Sequence, residues 1–216
     1  MFFYQIRHKI AVILFDCSDF GESNPVQFVA NLTIGVTGIR LLIFAAFVIA
    51  CPIKAMSKLG IISDTHGCLK ETVRAVQLFR ERNVQTVIHC GDIGGSAVVR
   101  AFQRITTHFV LGNMDNDAET LRLVIDETGN HFHGCFGSIE QDGKRIAFLH
   151  GHETERFEQE LASGNWDLLC YGHTHAADMQ MRGATLLLNP GAFTRVSQPT
   201  ITIVTLPELT ALSLNV

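Results

Sequence analysis

The chain has 216 residues, 47% of them hydrophobic and 18% charged, with a formal net charge of −4. That balance excludes a disordered polymer, leaves room for a substantial core in one or two domains, and gives no general attraction for nucleic acid; polyanion binding would need metals or a local basic patch. The six cysteines, at 17, 51, 68, 90, 135 and 170, include no C-x-x-C pair. Buried free thiols in a reducing compartment are expected, rather than a disulfide scaffold or a zinc ribbon.

Residues 1–55 differ in character from the rest. Between Asn24 and Ile53 the only charge is Arg40, and Leu41 to Cys51 is unbroken apolar sequence. The run is short for a spanning helix of about 20 residues but suits an export-signal core of about 7–15. Val48-Ile49-Ala50-Cys51 has the look of a lipoprotein cleavage box. Extending the run upstream would place Arg40 near mid-membrane at a cost of roughly 2.5–3.5 kcal/mol. A long preceding segment carrying Asp16, Asp19 and Glu22 is a poor signal n-region. The favoured expectation is an N-terminal extension outside the fold, with translation starting at Met56 and a cytoplasmic product; anchoring through residues 39–53 is the alternative.

From Met56 the elements alternate. Lys58 to Ser63 is a short buried strand ending at Asp64, and Leu69, Val73, Val76 and Phe79 recur at helical spacing behind it. Thr86 to Cys90 is a second strand ending at Asp92, followed by a glycine break and a helix over Ala97 to Ile105. His108 to Leu111 is a third strand ending at Asn113, and Asp117 to Ile125 a short helix capped by Asp115 or Asn116. A hairpin is then expected from Ser138–Glu140 and Arg145–Leu149, turning over Gln141-Asp142-Gly143-Lys144 and delivering His150. Glu153 to Leu161 is an amphipathic helix. Asp167–Tyr171, Thr185–Leu188, Thr200–Thr205 and Ala211–Asn215 are strands. Helices alternate with strands early and hairpins dominate later, so residues 56–216 read as one α/β domain of mixed sheets covered by helices.

Seven metal-ligand-type side chains lie in order at or beside glycine-marked strand ends: Asp64-x-His66-Gly67, Gly91-Asp92, Gly112-Asn113, His150-Gly151 and Gly172-His173-Thr174-His175. Any one of these motifs is commonly a plain turn. One cation takes about four to six N/O ligands, so seven in order suit two ions sharing a bridging carboxylate, for which Asp92 is the natural choice. Period-two alternation can align Asp64 with His66, and His173 with His175. Mixed N/O donors without thiolate favour Mn²⁺ first, with Ni²⁺, Fe, Zn²⁺ or Mg²⁺ also admissible. His89 reads as a core or edge residue, and His8, His108, His131 and His133 as non-functional.

The ordered set D-x-H, G-D, G-N-x-D, H-G-H and G-H-T-H resembles the calcineurin-like metallophosphoesterase superfamily, over about residues 57–206. Asn113-Met114-Asp115 is similar to the third motif of its small bacterial and archaeal phosphodiesterase branch. The resemblance implies a four-layer sandwich, two mixed β-sheets face to face with helices outside. It also implies one ion on Asp64, His66, Asp92 and His175, and a second on Asp92, Asn113, His150 and His173. A metal-bridging hydroxide would then attack phosphorus in line, with two ions about 3.5–4 Å apart. Asn113, His152 and Asp115 form the catalytic set, the last two as candidates for the leaving-group proton.

Two departures from the superfamily pattern bear on the substrate. Met114 stands where many members have a proton-handling histidine, and Gly91-Asp92-Ile93-Gly94-Gly95 lacks the arginine of the protein phosphatases. Both point to small phosphodiesters, or phosphomonoesters with good leaving groups, and away from phosphoproteins. The alternatives are an interaction scaffold, as the same fold provides in the eukaryotic retromer subunit, and a nuclease. The intact ligands speak against the first, and the lack of a basic aromatic stripe against specific nucleic-acid binding.

Overall fold

The computed structural model describes residues 29–36, 39–46 and 56–216. The chain separates into two units, 1–54 and 55–216. In the first, β1 (Val29–Val36) and β2 (Ile39–Ala46) pair antiparallel, from Val29 opposite Ala46 to Val36 opposite Ile39. The proposed anchor at 39–53 therefore begins as extended backbone. Its remainder, with the Val48–Cys51 box, His8, Cys17 and Cys51, lies outside the described residues. Among the described residues, no helix is long and apolar enough to cross a membrane.

The second unit runs β3 (Ser57–Ile62), α1 (Leu69–Glu81), β4 (Thr86–His89), α2 (Ser96–Ala101), β5 (Thr106–Phe109), α3 (Ala118–Glu127), β6 (His131–Phe132), β7 (Phe136–Gln141), β8 (Lys144–Leu149), α4 (Thr154–Ala162), β9 (Leu168–Cys170), β10 (Asp178–Arg182), β11 (Thr185–Asn189), β12 (Thr200–Leu206) and β13 (Thr210–Asn215). Six strands form a sheet in the order β13-β12-β3-β4-β5-β6, with β3 to β6 parallel and β12 and β13 antiparallel. Five more follow the order β10-β11-β9-β8-β7, parallel only across β11-β9-β8.

Alternation along the strands sorts side chains into three apolar layers, and so defines four layers of structure. Leu59 and Ile61 of β3, Ile146 and Phe148 of β8, and Leu186 and Leu188 of β11 fill the space between the sheets. Ile62 turns the other way, to Ala75, Val76 and Phe79 of α1 and Val98 and Val99 of α2. Ala147, Leu149, Leu169 and Leu187 face Phe157 and Leu161 of α4. The expected α/β four-layer sandwich of two mixed sheets flanked by helices is present.

Local expectations fail where a neighbour outweighs the pattern. On α1 the buried stripe is Thr72, Ala75, Val76 and Phe79, while Leu69 and Val73 are exposed. Thr72 can be buried because its hydroxyl donates to the Cys68 carbonyl at 2.8 Å. The cap of α3 is Asp117, which accepts from the Thr120 N–H at 3.2 Å, not Asp115 or Asn116. Helix α2 stops at Ala101, short of Ile105. The hairpin is longer than expected: Asp142 and Gly143 alone form the turn, with φ of 52° and 74°, the left-handed pair that matches strand twist. Strands β6, only two residues long, and β10, whose alternating Met179 and Met181 point to solvent, escape sequence reading.

Candidate metal centre

The loops after β3, β4, β5, β8 and β9 deliver all seven expected ligands to one edge of the two sheets. Strand alternation is not the reason, contrary to expectation. β3 ends at Ile62, and Asp64 and His66 lie beyond it in left-handed backbone with φ of 53° and 43°. His173, His175 and Asp92 repeat this with φ of 68°, 61° and 52°. Such conformations cost on the order of 1–3 kcal/mol each for non-glycine residues, least for Asp and Asn types, and cluster at functional sites. They persist here because the β3–β4 ladder continues past the strands. Asp64 N–H donates to Gly91 O at 3.0 Å, His66 N–H to Asp92 O at 2.9 Å, and Gly67 N–H to Ile93 O at 3.0 Å. The loops also press together at glycines: a Cβ on Gly172 would collide with Ser63 Oγ, and one on Gly112 with Asp92 Oδ1.

Asp64 is fully buried. Its Oδ2 accepts from Ser63 Oγ at 2.6 Å and from the His173 N–H at 3.0 Å. Its Oδ1 has no hydrogen-bond donor, yet faces His175 Nε2 at 3.2 Å, His66 Nε2 at 3.7 Å and His150 Nε2 at 4.0 Å. Asp92 divides its oxygens in the same way. Oδ1 accepts from the Met114 N–H at 2.8 Å, and Oδ2 lies 3.6 Å from His66 Nε2 and 3.4 Å from His150 Nε2. Burial is the largest influence on this carboxyl and raises its pKa. The His150 hydrogen bond, the Met114 N–H and the nearby imidazoles outweigh it and bring the value down to about 2.

The imidazoles are oriented from behind. Nδ1 of His150 lies 2.9 Å from the Cys90 carbonyl and Nδ1 of His175 lies 3.2 Å from the Thr194 carbonyl, contacts that require N–H at Nδ1 and leave each Nε2 facing inward. His150 Nε2 then meets Asn113 Oδ1 at 3.1 Å as well as the two carboxylates, and His66 Nε2 meets His175 Nε2 at 3.2 Å. A divalent cation among these atoms would take the place of the protons that these short contacts share. Burial weighs most on His150 and lowers its pKa, but the Asp92 hydrogen bond and the charges of Asp64 and Asp92 raise it above the ordinary value. Two groups have donor atoms mutually within 4.8 Å: Asp64, His66 and His175, and Asp64, Asp92 and His150. With an orphaned carboxylate oxygen among them, these residues fit divalent ions. His173, more exposed, stands with its ring centroid 5.1 Å from that of His150, and its pKa is lowered by burial and by His150.

The two candidates for the leaving-group proton part company. His152 has its ring centroid 5.5 Å from His150 and 6.2 Å from His173, with a buried Nδ1 that has no partner. Asp115 corrects the expectation. Its Oδ1 accepts from Ile93 N–H at 2.9 Å and Gly94 N–H at 3.1 Å, and its Oδ2 from Gly112 N–H at 2.9 Å. Both of its oxygens are engaged in clamping the Asp92 loop to the Asn113 loop, a structural role rather than the handling of a leaving-group proton.

His89 is also more than core filling. It is fully buried and stacks on Phe109, with ring centroids 5.5 Å apart. Gly91 N–H donates to its Nδ1 at 3.2 Å, which places the ring proton on Nε2 opposite Thr65 Oγ1 at 2.9 Å. Thr65 donates onward to Ile93 O at 2.9 Å. The chain of bonds braces Thr65, the residue between the candidate ligands Asp64 and His66.

His66, Asp92, Asn113, Met114, His173, His175, Thr194 and Arg195 line a cavity of about 370 Å³. A larger depression of about 680 Å³ over Glu153 to Glu160 offers no converging ligands. Thr194 and Arg195 escape sequence reading. They follow Asn189-Pro190-Gly191 with no ligand-type spacing, and only the fold brings them to the site.

Comparison with known proteins agrees with this geometry. The profile of the calcineurin-like phosphoesterase superfamily domain matches residues 57–209. Phosphodiesterase MJ0936 of Methanocaldococcus jannaschii is 34% identical over 137 residues, 62% of this chain and 82% of that protein. Phosphodiesterase YfcE of Escherichia coli is 28% identical over 152 residues, 63% of this chain and 79% of its own. A solved archaeal phosphodiesterase superposes with a TM-score of 0.70 at 30% identity, covering 74% of this chain and 99% of that one. Vacuolar protein sorting 29 of Cryptosporidium parvum, at 17% identity and a TM-score of 0.51 over 74% of this chain and 97% of that one, shares the fold alone. The chain therefore belongs to the calcineurin-like phosphoesterase superfamily, and metal-dependent hydrolysis of phosphate esters is the chemistry its converging ligands serve.

Proposed function

We propose that the chain is a phosphodiesterase that works with two divalent ions, Mn²⁺ foremost. Asp64, His66, Asp92 and His175 would hold one ion, and Asp92, Asn113, His150 and His173 the other. The observation that carries this reading is Asp92 Oδ2, placed between His66 Nε2 at 3.6 Å and His150 Nε2 at 3.4 Å while Oδ1 is held by the Met114 N–H. When bound, such ions lower the pKa of water toward neutrality and offset charge on phosphoryl oxygens.

The chain's own side chains do the rest. Ser63 and the His173 N–H fix Asp64, so that its free oxygen points inward. Asn113 presents its amide at the Asp92–His150 junction. His152, with its ring centroid 5.5 Å from that of His150, is the remaining candidate to pass a proton to a departing ester oxygen. Met114, 55% exposed at the cavity wall, can pack against an ester substituent but carries no proton, which favours diesters with good leaving groups over alkyl monoesters. The names of the two phosphodiesterase relatives support the same substrate class. We assign residues 1–55 no part in catalysis and place the domain in the cytoplasm. The ligands' convergence argues against the scaffold alternative, and the net charge of −4 against a nuclease.

The test is metal analysis of the Mn²⁺-saturated protein followed by a panel of bis(p-nitrophenyl) phosphate, p-nitrophenyl phosphate and alkyl monoesters. Two ions per chain and a preference for the aryl diester are expected. Equal or greater turnover of alkyl monoesters counts against the diester assignment.

A further inference from the structure

The segment after β11 is tied to the metal ligands on both sides. Phe193, buried in the layer under α1 and α2, donates its N–H to Asp64 O at 3.0 Å. The Thr194 carbonyl accepts from His175 Nδ1 at 3.2 Å. Asn189 reaches across to the His173–His175 loop, donating to Gly172 O at 2.9 Å and Thr174 Oγ1 at 3.0 Å. A loop so stapled has little freedom, and the next residue, Arg195, adopts left-handed backbone with φ of 58°. That conformation is uncommon for a long side chain, and strain of this kind marks positions held for a purpose.

The result is an exposed guanidinium on the wall of the cavity that the metal ligands line. Several other arginines have partners elsewhere: Arg74 with Glu81, Arg100 with Glu127, Arg122 with Glu119 and Asp126, and Arg156 over the Phe136 ring. No ion pair among the described residues involves Arg195, although Asp92 lines the same cavity. The Gly91–Gly95 segment lacks a cation, so the only positive side chain lining this cavity comes from the other sheet's loop.

We propose that Arg195 is the phosphate anchor of the site. Its planar fork donates paired hydrogen bonds to phosphoryl oxygen, of a bound diester or of product phosphate, and does from the loop after β11 what an arginine after Asp92 would otherwise do. The charge that builds on the equatorial oxygens during attack strengthens the contact, so Arg195 favours the transition state over the ground state. This rests on the phosphoesterase reading of the site, and deepens it by naming the residue that fixes the phosphate.

The full chain saturated with Mn²⁺ tests the inference in two assays, titration calorimetry with inorganic phosphate and steady-state hydrolysis of bis(p-nitrophenyl) phosphate. The variants are Arg195→Asn, since Asn tolerates left-handed backbone, and Arg195→Lys, which keeps the charge without the fork. Arg195→Asn is expected to raise the phosphate Kd about tenfold or more and to lower kcat/KM by a similar or larger factor, as loss of a charged hydrogen bond implies. Arg195→Lys should fall between, and metal content and Tm should not change. A phosphate Kd and kcat/KM in Arg195→Asn equal to those of the parent overturn the anchor, as does a parent that binds no phosphate. If phosphate binding depends on Arg195 but no phosphoester is turned over, the anchor stands and the phosphodiesterase reading fails. Turnover and phosphate affinity that both ignore Arg195 give the converse.

Discussion

His89 offers a measurable link between the buried polar bracing and stability. The ring is fully buried, and desolvation, aided by His150 and opposed by Asp92, lowers its pKa from 6.5 to about 3. The native state therefore holds His89 neutral, whereas the unfolded chain takes up a proton as pH falls below 6.5. Its contribution is complete above pH 6.5 and is lost progressively between 6.5 and about 3. At about 1.4 kcal/mol per pH unit, the loss by pH 5 amounts to roughly 2 kcal/mol. Urea unfolding in the presence of chelator, at pH 8 and pH 5, reads this directly. His89→Gln is the comparison, because its amide can still donate to Thr65 Oγ1 but does not titrate. The parent should lose about 2 kcal/mol more between the two pH values than the variant, the other histidines cancelling in the difference. Equal losses in the two proteins refute the argument and leave His89 as neutral packing.

Three further outcomes follow from the site. Asp92→Ala should disturb both ions, reducing bound Mn²⁺ below one per chain and turnover by about 100-fold or more, as loss of a shared ligand implies; one ion held at parental affinity with activity retained contradicts the bridge. Met114→His should raise the ratio of alkyl monoester to diester hydrolysis by about tenfold or more if position 114 faces the leaving group; an unchanged ratio places that group elsewhere. A chain starting at Met56 should fold, bind two ions and match the full-length kcat/KM, and peptide mapping of the natural product should find Met56 or Ser57 at its N-terminus. Lipid on Cys51, or enzyme found only in membranes, overturns that start.

What sequence revealed and what it hid divide along physical lines. Short apolar runs ending in ligand residues identified β3, β4, β8 and β9, because buried strands must be apolar and strand ends must leave the sheet. The strand-end loops bring Asp64, His66, Asp92, His150 and His175 within reach of a common ion for the same reason, with Asn113 and His173 beside them. Strand β6 was invisible because it is two residues long, and β10 because a five-residue edge strand, Asp-Met-Gln-Met-Arg, is short, charged at both ends and turns its methionines to solvent. The contrast of Asp115 with His152 was hidden too, since both are polar residues two positions past a ligand. Only their partners separate them, three backbone N–H donors for one and none for the buried Nδ1 of the other. The left-handed backbone at Asp64, His66, Asp92, His173 and His175 was equally illegible, because Asp and His signal the αL region only weakly, and glycines drew attention to the turns while the strain sat on their neighbours.

That strain makes the number of ions readable from stability, independent of turnover. Asp64 Oδ1 is buried without a hydrogen-bond donor, among loops held in left-handed backbone, so an ion bound there would offset a cost that the fold carries. An ion that binds the native but not the unfolded chain stabilises it by RT ln(1 + [ion]/Kd). Above saturation each tenfold rise in free Mn²⁺ then adds about 1.4 kcal/mol per ion held. Two ions predict a slope of about 2.8 kcal/mol per decade in the unfolding free energy, with the full chain's Tm rising steadily across the titration. Asp92→Ala, which withdraws the shared oxygen, should reduce that slope to about 1.4 kcal/mol per decade or less; its stability without metal also falls, because Ala is strained at φ 52° and the Met114 N–H loses its acceptor, but that offset leaves the slope untouched. A parental slope of about 1.4 kcal/mol per decade means a single ion, and the seven ligands then surround one centre rather than two.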